Sequence, residues 1–142
     1  MRRAGQVAEP DIAAYQRVLD RVFARSRPLL RDAPTWQAAL FASVRGCYAE
    51  MRSNPEALEM HFVTTGRDER VQRTRTAHRD RVLALLGDVR DDVPEPIQAE
   101  MALTMIHSTM CAHVAADEAP PALDDAEQTF ATLLFNAVPD GD

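Results

Sequence analysis

The sequence predicts an all-α fold, an antiparallel helical bundle of about six helices forming a single domain over residues 1–142. Three observations lead there. Apolar residues recur at three- and four-residue steps along most of the chain, the spacing that lines one face of an α-helix. Prolines and capping residues interrupt that pattern at intervals suited to helices. No stretch alternates apolar and polar residues as a half-buried strand does, and no internal repeat occurs.

The first helix is expected over 9–31. Pro10 and Asp11 open it, and Ile12, Tyr15, Leu19, Val22 and Phe23 form its apolar stripe. Pro28 should end or kink it, because a proline ring collides with the carbonyl four residues earlier. A second helix, 35–53, is capped by Thr35 and carries Trp36, Leu40, Ser43, Val44, Cys47 and Met51 on one side, with a small back of Ala38, Ala42 and Gly46. Asn54-Pro55 then starts a short helix, 54–65, almost without a loop, and Gly66 closes it.

From Asp68 a polar helix runs over 68–86 with a narrow stripe of Val71, Thr74, His78, Val82, Leu85 and Leu86; Gly87 stands where a C-terminal cap belongs. An acidic, proline-punctuated loop follows. The helix over 95–116 is apolar on two sides: Ile97, Met101, Met105 and Ala112 share one arc, and Ala99, Leu103, Ile106, Met110 and Val114 the opposite one. Such a helix must be covered twice. The last helix, 124–138, opens on Asp124 and Glu127 as a capping box, and its Phe135 points away from the main stripe of Ala126, Phe130, Leu133, Leu134 and Ala137.

Composition narrows function further. The chain has 16 basic and 22 acidic residues, a net charge of −6, which repels a phosphate backbone. All of the basic residues are Arg, so Schiff-base chemistry and Walker-type phosphate loops, which need a lysine amine, are excluded. Cys47 and Cys111 lack the spacing of a disulfide scaffold, and the opening residues run into Glu9-Pro10-Asp11 rather than an apolar core. The reading is a cytoplasmic protein with no membrane span.

The histidines are the candidates for chemistry. His78 interrupts an apolar stripe with no carboxylate spaced to orient it, which suits a pocket residue rather than a titrating catalyst, and His61 is similar between Met60 and Phe62. Glu100, His107 and Cys111 share an edge of one helix, but there is no second ligand pair to complete a metal site. No His is preceded by Glu at the three-residue step of di-iron bundles, and no hydrolase or dinucleotide motif occurs. The chain reads as a non-enzyme with no catalytic residue, metal or cofactor. Three stripes converge inward instead, predicting a mainly apolar cavity walled by Trp36, Leu40, Ser43, Cys47, His78, Met101 and Met105, with His78 as its polar anchor and Ser43 as the nearest protein partner.

The order of elements resembles the C-terminal domain of the tetracycline-repressor (TetR) family of transcriptional regulators. The resemblance spans nearly the whole chain and rests on three features: a long helix ending near Arg31, Ala33-Pro34-Thr35-Trp36-Gln37-Ala38-Ala39-Leu40 opening the next, and Tyr48-Ala49-Glu50-Met51-Arg52-Ser53-Asn54-Pro55-Glu56-Ala57-Leu58 closing it into Asn-Pro. It implies a small-molecule effector among the central helices and a homodimer built by the last two helices, here through Leu103, Ile106, Met110 and Phe135. DNA would be bound only through an N-terminal helix-turn-helix domain, which this sequence lacks. The alternative is a stand-alone helical dimer that binds a ligand or a protein and never touches DNA.

Overall fold

A computed structural model describes residues 11–63 and 68–115. The expected helix over 124–138, with Phe135, lies outside the described residues. Within them are six packed helices and no strand: α1 (Ile12–Ala24), α2 (Ser26–Asp32), α3 (Trp36–Met51), α4 (Pro55–Leu58), α5 (Glu69–Val89) and α6 (Pro96–Ala115), with a π-helical turn over Glu59–Val63.

The helix expected over 9–31 is two helices. The break falls at Arg25, three residues before Pro28, because the proline ring acts on the carbonyl four residues back and supplies no N–H of its own. Local bonds seal it: the Arg25 amide donates to the Val22 carbonyl at 3.1 Å and Ser26 Oγ donates to the same oxygen at 2.9 Å. Asp11 caps α1 by accepting from the Ala14 amide at 2.9 Å.

Helix α3 is the hub and packs against α1, α2, α4, α5 and α6. Its first six residues, Trp36 to Phe41, are all buried, as befits an apolar helix covered on several sides. Thr35 caps it by accepting from the Ala38 amide at 3.1 Å. Asn54 does the same for α4, accepting from the Ala57 amide at 3.2 Å, with Pro55 at the first helical position where its missing N–H costs nothing. After one turn the chain widens into the π-helical turn, which buries Met60, His61 and Phe62 in succession.

Helix α5 runs through Gly87 to Val89 instead of stopping at the glycine. Arg90 explains why. Its Nη1 donates to the carbonyls of Leu30, Arg31 and Ala33 at 2.9, 3.2 and 2.8 Å, capping the C-terminus of α2, while its Nε and Nη2 grip Asp92 at 2.8 and 2.9 Å. Only when α5 continues past Gly87 does Arg90 reach these oxygens.

Helix α6 is rotated relative to expectation. Ala99, Ala102, Leu103, Ile106 and Met110 face the core, whereas Ile97, Met101 and Met105 are 66%, 50% and 38% exposed. Leu103, Ile106 and Met110 are therefore core residues and not an outward dimer seam, and Met101 and Met105 do not face inward. Two nearly equal apolar arcs leave periodicity unable to choose between them. The polar side chains decide: inward placement of the Leu103 and Ile106 arc brings His107 to the core histidines and leaves Glu100 at the surface against Arg79, 3.5 Å away.

Candidate ligand-binding site

The site grows from a buried polar chain. Tyr15 Oη lies 2.7 Å from His61 Nδ1, and His61 Nε2 lies 3.4 Å from Cys47 Sγ, which in turn donates to Met51 Sδ at 3.9 Å. One set of donors satisfies all three contacts: the tyrosine hydroxyl donates to Nδ1, Nε2–H donates to the Cys47 sulfur, and the thiol donates onward to Met51. This chain ties α1, the π-helical turn and α3 together. Burial keeps every member uncharged, pushing the Tyr15 and Cys47 acidities weaker and holding the His61 pKa well below the usual histidine value, with the charge of Arg75 among the lesser causes.

Two further imidazoles surround His61, one from α5 and one from α6. The His107 ring meets it edge-on at 5.0 Å between centroids and the His78 ring at 6.0 Å, while His107 stacks on Phe62 at 5.3 Å. Both are neutral at physiological pH. Desolvation lowers each pKa to about 4, aided by the charge of Arg81 for His78 and of Arg75 for His107. Unlike His61, they are not satisfied: His78 Nδ1 and His107 Nε2 are buried with no hydrogen-bond partner. An orphaned buried polar atom costs about 1–3 kcal/mol and needs an explanation.

Both histidines line a cavity of about 170 Å³ between α3, α5, α6 and the π-helical turn. Ser43, Val44 and Cys47 form its α3 wall; Leu103, Thr104 and His107 form its α6 wall. Helix α5 contributes Arg75, Thr76, His78, Arg79 and Val82. Arg75 also donates from Nη2 to the Met60 carbonyl, holding the π-helical turn against α5. Among the described residues no carboxylate lines the cavity.

Of the seven residues expected to wall the pocket, the structure brings Ser43, Cys47 and His78 together on it. Ser43 shares the cavity with His78 yet does not bond its Nδ1. Trp36 and Leu40 are buried but lie nearer the start of α3, Trp36 about 10 Å along the axis from Ser43 at 1.5 Å per residue. Met101 and Met105 are on the outer face of α6, and Leu103, expected at a dimer seam, lines the cavity.

His61, His107 and the arginines were absent from the expected wall. A signal for the arginines was present: Arg75, His78, Arg79 and Val82 fall at three- and four-residue steps, one face of α5, but an arginine-rich face reads as solvated when no partner is known. Among the described residues no three His, Cys, Asp or Glu side chains are placed to hold a metal ion; Glu100 pairs with Arg79, and Cys111 is half-buried. No helix among the described residues is long and apolar enough to cross a membrane. The chain matches no protein-family model, no curated protein and no solved structure.

Proposed function

We propose that the chain is the effector-binding and dimerising domain of a TetR-type transcriptional regulator, with its small-molecule effector in the cavity between α3, α5 and α6. The observation that carries this reading is the pair of orphaned nitrogens, His78 Nδ1 and His107 Nε2, on residues lining a cavity with apolar walls. A core built only for stability would answer or omit them; a binding site leaves polar atoms for a guest. The position of the cavity supports a switch. His61, at its edge, is bonded to Tyr15 of α1, so a guest that moves the π-helical turn shifts the first helix, the one leading toward a helix-turn-helix head. With a net charge of −6, contact with DNA belongs to that head and not to this domain.

In this reading two copies meet on the outer face of α6, where Ile97, Met101 and Met105 make an apolar strip that water would otherwise cover. Native mass spectrometry of the purified chain tests both parts. We expect a dimer that retains a small molecule, and a monomer for I97E/M101E. A wild-type monomer removes the dimerising role. A ligand-free protein that none of a broad panel of small apolar molecules stabilises against heat removes the effector role.

A further inference from the structure

The effector reading leaves open what chemistry the cavity accepts, and the hydrogen-bonding state of its lining residues narrows it. Resting on that reading, we infer that the cavity takes a compact, uncharged hydroxyl compound: a single ring-sized apolar body bearing one O–H group.

The orphaned atoms differ in kind. His107 has a backbone hydrogen bond with His61 that favours its protonated form, which makes the imidazole the donor and the His61 carbonyl the acceptor. Its Nε2 is buried without a partner, so the donor is Nδ1. A neutral imidazole carries one N–H, and with that proton spent on Nδ1, Nε2 is a lone pair that only a donor can answer. Arg79 Nε is the reverse: it is also buried without a partner, and a guanidinium nitrogen donates but does not accept. His78 Nδ1 suits either role, according to its tautomer. All three residues line the cavity. A hydroxyl is the smallest group that answers both kinds, giving its proton to one and receiving on its oxygen from the other. A carboxylate or an ether only accepts, and an ammonium only donates.

Charge argues for a neutral guest. Arg79 Nη2 already lies 3.4 Å from Asp80 and 3.5 Å from Glu100, and Arg75 already donates to the Met60 carbonyl. Burial keeps His61, His78 and His107 uncharged at physiological pH. An ionised guest would give up its hydration to enter and would have to compete with contacts already made, whereas a hydroxyl needs only the orphaned atoms.

Size sets the body. Val44, Val82 and Leu103 supply apolar wall, and a volume of about 170 Å³ is close to that of an apolar protein cavity, about 150 Å³, that holds one benzene ring. A fused polycyclic body exceeds it.

Calorimetric titration of the full chain at pH 7 with phenol, anisole, toluene and benzoate tests the assignment. Phenol is un-ionised there, since its hydroxyl titrates like that of tyrosine, near about 10. Anisole keeps the oxygen and loses the proton, toluene loses both, and benzoate brings a charge. We expect saturable phenol binding, with each of the other three at least about tenfold weaker. His107→Leu should bring phenol down to the affinity of toluene and leave toluene itself unchanged; Arg79→Met should weaken phenol at least about threefold, and circular dichroism establishes that each variant is folded. Anisole or toluene as tight as phenol overturns the hydroxyl while leaving a cavity that binds small molecules. Benzoate as tight as phenol overturns the neutral guest. Phenol binding that a folded His107→Leu leaves intact places the hydroxyl elsewhere and overturns the assignment; if that variant does not fold, Arg79→Met decides in the same way. Silence from all four overturns the hydroxyl guest, and the effector reading falls with it only when the broad panel of apolar molecules is silent as well.

Discussion

Two positively charged regions about 18 Å apart along α5 treat their polar groups in opposite ways. Around Arg90 every guanidinium nitrogen meets an acceptor: three backbone carbonyls at the end of α2 and both oxygens of Asp92. In the cavity, two buried imidazole nitrogens meet nothing. Both regions sit inside the same helical frame, so packing alone does not explain the contrast. The Arg90 end is closed because it joins α2 to α5. The cavity end is satisfied only where it joins elements, at Tyr15–His61–Cys47 and at Arg75 on the π-helical turn, and is left unanswered where the space is open.

The largest effect that sharpens this comparison is acid sensitivity. His78 and His107 have folded pKa values lowered to about 4, against an ordinary value near 6.5 in the unfolded chain. Above about 6.5 both states are neutral and the full stability is present. As pH falls from there toward 4 the unfolded chain takes up protons that the folded chain refuses, so stability is progressively lost, by up to about 3 kcal/mol for each imidazole. The paired carboxylates of Asp20 and Asp92 are held below the usual carboxylate range, so their loss comes at lower pH and does not blur this window. Urea denaturation at pH 7.0, 5.5 and 4.5 should show the midpoint dropping steadily. A flat profile would mean that the imidazoles are solvated and the cavity end is not distinct.

Substitution at each end comes next in size. Arg90→Met removes the donors to the Leu30, Arg31 and Ala33 carbonyls and should cost about 3 kcal/mol. His78→Leu removes an orphaned nitrogen from a buried site of similar volume and should change stability by less than about 1 kcal/mol, in either direction. Chemical denaturation of both variants checks the pair. Comparable losses would erase the distinction between a structural end and a binding end.

How much of this was legible in the sequence follows from the range of each interaction. The caps at Asp11, Thr35, Asn54 and Asp68 are local, since each side chain answers an amide two or three residues on, and the sequence shows them directly. Ser43, Cys47 and His78 were legible as cavity residues because each lies on an apolar stripe of its own helix, α3 or α5, set by three- and four-residue steps. Helix α6 has two, and its rotation depends on His107 meeting His61 from 46 positions earlier, a contact that no window of sequence contains. The Arg90 cap spans 57 to 60 positions and is equally invisible. What was readable is what the chain decides within one or two helical turns.

Gly87 gives the smallest expected effect, and its sign tests the Arg90 end most directly. Read from sequence, the glycine terminates α5, a position where the backbone turns left-handed and a side chain is strained. In the structure it lies two residues inside the helix, and a Cβ built on it meets nothing within 4 Å. A glycine inside a helix costs about 0.5–1 kcal/mol relative to alanine, because the unfolded chain loses more freedom on folding. Gly87→Ala should therefore stabilise the protein by about that amount and raise its thermal midpoint by a few degrees. A destabilised variant would mean that α5 ends at Gly87 after all. Arg90 would then start from a different backbone position, its reach to the α2 carbonyls would be lost, and the closed end of the comparison would have to be redrawn.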